Sequence, residues 1–140
     1  MALKNAYSKI PINRIFELIT SALVQHGARQ IVWEYGNDGQ VYGVTFVVPY
    51  QDKQLSIKLP ARISNVSRVL QEQGFKPDFE QEYRTAWRNV LDWIEAQMAM
   101  IDTGMVKLIE VFLAYMTDGS GTTYFEVLEK KQFTLPAATS

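Results

Sequence analysis

Cysteine is absent from this 140-residue chain and histidine occurs once, as His26. Without thiols there is no disulfide framework, thiolate nucleophile or thiolate metal site, a composition that fits a reducing cytoplasm, and one imidazole cannot complete a zinc centre. Long hydrophobic runs are also missing. No stretch approaches the roughly 20 apolar residues that cross a bilayer, and Met1–Ile10 lacks the apolar core of a secretion signal, so the protein is expected to be cytoplasmic with no membrane partner. Excess charge of one sign is lacking too, the formal net charge being −1. A protein held to nucleic acid by many phosphate contacts ordinarily shows a clear Lys/Arg surplus, so any such contact here has to come from a local patch.

What is present is enough for a core. Hydrophobic residues make up 47% of the chain and aromatic ones 12%, too much for intrinsic disorder, and the length suits one domain. The charges are unevenly spread. Residues 1–75 carry 8 Lys/Arg against 5 Asp/Glu, and residues 76–140 carry 6 against 10. The front half is thus basic and the back half acidic.

Apolar spacing predicts the elements. Ile12, Ile15, Phe16, Ile19 and Leu23 recur at helical intervals between Pro11 and His26, with Gly27 as a stop. The period then changes to two. Ile31, Trp33 and Tyr35, then Val44, Phe46 and Val48, then Leu55, Ile57 and Leu59 alternate with more polar neighbours, and Asn37-Asp38-Gly39 supplies the first turn. A three-stranded antiparallel β-meander follows from that alternation. Helical spacing resumes at Ile63, Val66, Val69 and Leu70 up to Gly74. The longest helix starts at Pro77-Asp78, with Asp78 as cap and a stripe of Tyr83, Trp87, Val90, Leu91, Ile94, Met98 and Ile101. Gly104 interrupts it, Met105–Met116 is expected to continue as helix, and a last short helix covers Tyr124–Lys131. The expectation is a single α+β domain over residues 1–140, with an N-terminal helix, the meander and a mostly helical C-terminal half. Residues 1–10 and 134–140, including the Pro136–Ser140 tail, are expected to be flexible ends.

Catalytic constellations are hard to assemble. His26 stands at a helix C-terminus, where an imidazolium meets the helix dipole favourably, which makes it a capping residue. Asp92, Glu95, Asp102 and Glu110 are the acids that could converge on a metal, but Arg88 precedes Asp92 by one turn and makes a solvated ion-pair face of the same residues. Asp118-Gly119-Ser120-Gly121-Thr122-Thr123 leads into a helix but lacks the lysine of a phosphate loop, so Thr122 or Thr123 is read as a cap. No nucleophile, base and orienting group come together. An enzyme is not expected, and neither a metal nor another cofactor is called for.

Two surfaces stand out instead. Arg29, Lys53, Lys58, Arg62 and Arg68 lie on the meander and the helix after it, with Trp33 and Tyr35 near, and Arg84 and Arg88 lie one turn apart on the long helix. Cations that follow a backbone and rings that stack on bases are the combination that binds single-stranded DNA or RNA. The competing placement puts Trp33 and Tyr35 in the core and leaves the cations to keep a wet sheet face soluble. Met98, Met100, Met105 and Met116 cluster with Phe112, Leu113 and Tyr115, and Met98, Met105, Phe112 and Met116 are the candidate contacts of a homo-oligomer.

Ala86-Trp87-Arg88, Trp93-Ile94-Glu95-Ala96-Gln97, Gly104-Met105-Val106, Glu110-Val111-Phe112-Leu113 and Tyr115-Met116 resemble a recurring family of small phage, prophage and mobile-element proteins. The likeness extends to Leu59-Pro60-Ala61 and Leu135-Pro136-Ala137. More loosely, a helix, a meander and a long helix are similar to the core of phage single-strand annealing proteins. The resemblance implies a setting of mobile DNA, and transfers no catalytic residue. On residues and resemblance together, the expectation is a non-enzymatic, oligomeric accessory protein that binds single-stranded nucleic acid. The alternative is a protein-interaction or ligand-sequestering module, such as an inhibitor of a host defence system, that binds a host or phage protein.

Overall fold

A computed structural model describes residues 1–118 and 120–133. Among these, α1 (Ile12–Gln25) is followed by β1 (Gln30–Tyr35), β2 (Val41–Tyr50) and β3 (Lys53–Pro60). Helices α2 (Ile63–Glu72), α3 (Phe79–Asp102) and α4 (Leu108–Phe112) come next. A 3₁₀ turn at Leu113–Tyr115 then leads into β4 (Met116–Thr117) and α5 (Tyr124–Lys130). The strands form one antiparallel sheet in the order β1-β2-β3-β4. The meander is therefore extended by a fourth strand, short because only Ser56–Thr117 and Ile57–Met116 pair.

The alternation read from sequence sets the two sides of the sheet. Val44, Phe46, Ile57 and Leu59 are buried together with Ile15, Ile19 and Leu23 of α1 and with Trp87, Leu91 and Ile94 of α3. The intervening Val32, Thr45, Ser56 and Lys58 project from the opposite side, as expected of an antiparallel sheet with one face packed and one wet.

Helix α3 is fixed to the sheet by more than apolar contact. At the β1–β2 hairpin the register slips between Glu34 and Tyr35, so that Glu34 faces Gly43 while Tyr35 faces Val41. The long helix takes up the backbone at this irregularity. Val41 N–H donates to the Tyr83 hydroxyl at 2.7 Å, and the Trp87 indole N–H donates to Val41 O at 3.1 Å. Both helix residues are buried, and burial pushes the Tyr83 phenol up, against the opposing effects of the Val41 and Trp87 hydrogen bonds.

Three expectations need correction. The helix expected over Met105–Met116 is reduced to α4 and the 3₁₀ turn, after which the chain extends into β4. Gly104 adopts φ +79 and ends α3, and Phe112 then inserts between Phe46 and Trp93 at 5.7 Å from each ring, so the chain turns at the core toward the β3 edge. Residues 1–10, expected to be a flexible end, are tied along α3 instead. Ala6 is buried, Gln81 Nε2 donates to Ala6 O and Ser8 O, Thr85 Oγ1 donates to Asn5 O, and Asn5 Nδ2 donates to Asn89 Oδ1 and Asp92 Oδ2. Gln81, Thr85, Asn89 and Asp92 follow one another at successive turns and make a polar stripe beside the apolar one. Asn5 makes this possible by adopting φ 67, a left-handed conformation that Asn tolerates better than most residues. The third correction is the added β4. The Pro136–Ser140 tail and residues 134–140 as a whole lie outside the described residues.

Candidate nucleic-acid interface

The cations do not gather on one face. Arg29 is exposed just ahead of β1, and Lys53 is exposed at the start of β3, about 16 Å along the strand from Lys58. Arg68 is neutralised by Glu72 at 3.2 Å. Arg84 and Arg88 belong to α3, on the packed side of the sheet and away from Lys58. Arg84 donates to Gln81 Oε1 at 2.6 Å, its Nε is buried without a partner among the described residues, and Arg88 pairs with Asp92 at 3.2 Å. Trp33 has its ring 4.8 Å from Phe16 and 5.8 Å from Trp87, so it packs toward the core and is not a free stacking platform. The broad basic and aromatic surface expected from these eight residues is thus divided by the fold.

Two of them do meet. Because Ile57 and Leu59 point inward, Lys58 between them points to the wet side, and the strand ends at Pro60 so that Arg62 stands exposed at the start of α2. A cleft of about 490 Å³ opens there, with Lys58, Arg62, Tyr115, Phe125 and Glu126 among its lining residues. A second cleft of about 310 Å³, lined by Asn89, Val90 and Trp93, shares Pro60, Arg62 and Tyr115 with the first. The two form one groove that runs from α5 past Arg62 to α3. Arg62 makes no ion pair among the described residues, whereas Lys58 lies 3.7 Å from Glu34.

The aromatic side of the groove was not anticipated. Trp93 was read as part of the family pattern and Tyr115 as part of the methionine cluster, yet their rings stand 5.2 Å apart, edge to face, at the groove wall. Phe125 on α5 is 42% exposed across from them. A sequence signal existed. Trp93 falls beside the apolar stripe of α3 and not within it, which places its ring at the margin of the core.

Acidic groups share the same walls, since Glu126 and Glu129 line the larger cleft. Glu126 is held below the usual carboxylate range, first by the Thr123 backbone N–H and then by the Thr123 hydroxyl, with Lys58 and Lys130 adding to the effect. Thr123 in turn accepts from Glu126 N at 3.2 Å, a reciprocal box that starts α5. The N–H groups of Thr123 and Glu126 are thereby used within the helix; Gly119 of that turn lies outside the described residues.

The remaining candidates have structural partners. His26 offers one ring nitrogen to Ala22 O at 2.7 Å and the other to Asp102 Oδ1 at 2.8 Å, joining the end of α1 to the end of α3. Asp92 is engaged by Asn5, Lys4 and Arg88, and Glu110 accepts from Lys107 N at 2.9 Å. Among the described residues no three His, Asp or Glu side chains converge as a metal site would require. The expected interface residues separate as well. Met98 and Phe112 are buried in the core and cannot reach a partner, Met116 is half-buried in β4, and Met105 alone of the four is open, at 70% exposure. No helix among the described residues is long and apolar enough to cross a membrane.

Comparison of the chain with family models, with curated proteins and with solved structures gives no match.

Proposed function

We propose that this chain is a non-enzymatic accessory protein of a phage or mobile element that binds single-stranded nucleic acid in the groove between α5, the end of β3 and α3. One observation carries the reading: Arg62, exposed and without an ion pair among the described residues, stands with Lys58 in a groove walled by Tyr115, Trp93 and Phe125. Cations in such a groove hold phosphates, and rings beside them stack on bases without regard to sequence. The number of usable cations limits the affinity. With Glu126 and Glu129 on the opposite wall, Lys58 and Arg62 neutralise about two phosphates, and binding falls in the non-specific range of roughly 10⁻⁴–10⁻⁶ M.

The test is fluorescence anisotropy of a labelled single-stranded oligonucleotide over a series of salt concentrations. For two phosphates on a single strand the slope of log K against log salt is about −1.4. Arg62→Glu is expected to abolish binding, and Phe125→Ala to weaken it by about 1–3 kcal/mol, the worth of one stacked base. Salt-independent binding, or an Arg62→Glu variant that binds like the wild type, overturns the proposal. A second reading, a protein-interaction module, is favoured by one feature: α5 contains no buried residue, and Leu113, Tyr124, Phe125 and Phe133 all expose apolar surface around it. Absence of oligonucleotide binding at low salt would turn attention to that surface.

A further inference from the structure

The two edges of the sheet are treated differently. On one side β4 spans two residues, and Thr117 is bridged in turn to Thr123, so the edge is blunted. On the other side β1 is a six-residue strand, Gln30–Tyr35, that among the described residues pairs only with β2. Natural edge strands are usually protected by lysine, proline or a covering element. Gln-Ile-Val-Trp-Glu-Tyr contains neither residue, is rich in strand formers, and leaves Val32 54% and Tyr35 70% exposed.

The ladder shows which backbone groups are free. Ala61 N–H donates to Tyr42 O, so the even-numbered residues of β2 bond to β3 and the odd-numbered ones, Gly43, Thr45 and Val47, bond to β1. Their partners are Glu34, Val32 and Gln30. Ile31 and Trp33 therefore direct their N–H and C=O groups away from the sheet. Irregularities bracket this stretch. Arg29 N–H also donates to Val47 O, beside the regular partner Gln30, and at the far end the register slips between Glu34 and Tyr35. The flat, pairable window is Gln30–Glu34, and its centre is Val32.

We infer that β1 is the dimerisation edge of this protein, pairing antiparallel with β1 of a second copy about a two-fold axis at Val32. Antiparallel pairing about that axis sets Ile31 opposite the partner's Trp33 and exchanges both of their outward N–H and C=O groups. It sets Val32 against the partner's Val32, and Gln30 against the partner's Glu34. The ends are complementary in charge, because Arg29 makes no ion pair among the described residues and is brought beside the partner's Glu34. Any other register leaves part of one window opposite a bulge. A second copy is thus the occupant that the edge fits along its whole length, and the sheet becomes continuous through both copies. This assembly does not depend on what the groove at the opposite edge binds.

The absence of cysteine makes the test direct. The wild-type chain is expected to sediment at twice its 16.0 kDa mass at micromolar concentration. Val32→Lys, at a position already half open, puts like charges face to face on the axis, and is expected to yield a folded monomer with an unchanged circular dichroism spectrum. In Val32→Cys the two sulfur-bearing residues form a non-hydrogen-bonded pair with Cα atoms about 4.5 Å apart, within disulfide reach. Mild oxidation is expected to convert it to a covalent dimer, while Gln54→Cys, exposed on β3, stays monomeric. Mixing Gln30→Cys with Glu34→Cys is expected to give the mixed disulfide in preference to either homodimer. A monomeric wild type, a dimer that survives Val32→Lys, or Val32→Cys that crosslinks no faster than Gln54→Cys each overturns the inference.

Discussion

Replacing Trp87 with phenylalanine tests how much of the fold depends on α3 capturing the backbone of β2. The indole is fully buried, touches Phe16 and Trp33, and donates to Val41 O at 3.1 Å. Phenylalanine keeps an aromatic ring in the site but removes the donor and part of the volume. Leaving a buried carbonyl unpaired costs about 1–3 kcal/mol, and the incompletely filled space adds to it, although less than the 3–5 kcal/mol typical of truncation to alanine. The expected loss is about 2–4 kcal/mol, a large part of the roughly 5–15 kcal/mol that holds an average domain together. Urea titration followed by circular dichroism measures it, provided the slope m is unchanged. Tyr83→Phe removes the acceptor for Val41 N–H, and because both changes act on one residue of β2 the double variant is expected to depart from additivity by at least about 0.5 kcal/mol. Trp93→Phe is the control, since that half-buried ring lies at the groove wall, and about 1 kcal/mol is expected. If Trp87→Phe costs no more than Trp93→Phe, the indole hydrogen bond does not anchor the sheet and the reasoning fails.

Two further outcomes follow from local chemistry. Burial raises the Asp92 carboxyl, but the Asn5 and Lys4 hydrogen bonds and the charges of Arg88 and Lys4 outweigh it and hold the group below its ordinary value. A depressed folded pKa gives stability that is present above the unfolded value, near pH 4, and is lost as the pH falls through the folded one, so Asp92→Asn is expected to flatten the acid limb of a stability-against-pH curve measured by thermal melts. Thr123→Ala breaks the reciprocal box with Glu126 and is expected to cost about 1 kcal/mol, confined to α5, seen as faster amide exchange over Tyr124–Lys130 with little change in the global transition.

Periodicity revealed most of the elements because burial here follows it closely. Ile15, Ile19 and Leu23, then Val44, Phe46, Ile57 and Leu59, then Trp87, Leu91 and Ile94 are all core residues at the expected spacing. What it could not reveal were features decided by distant partners. The two-residue β4 has no pattern of its own and exists because Ser56 and Ile57 offer an edge. The polar stripe Gln81, Thr85, Asn89 and Asp92 looks solvated until Asn5 and Ala6 are laid on it. For the groove, Lys58 and Arg62 were legible as exposed cations, but their separation from Arg84 and Arg88 depends on which side of the sheet α3 covers. Met98 and Phe112 looked like partner contacts because adaptable side chains suit a core and an interface equally well.

The strap formed by the first residues has a consequence for the order in which the molecule assembles. Asn5 bonds to residues 84 and 87 positions further along the chain, and Leu3 to one 70 positions away. The Asn5 bonds need α3 in place and the Leu3 bond needs the end of α2, and contacts between such distant positions are slow to close because the loop entropy must be met first. The beginning of the chain is therefore expected to settle late. Until it does, the two amides, one hydroxyl and one carboxylate of Gln81, Asn89, Thr85 and Asp92 on the main helix stay open to water, and covering that row is expected as a late step of folding.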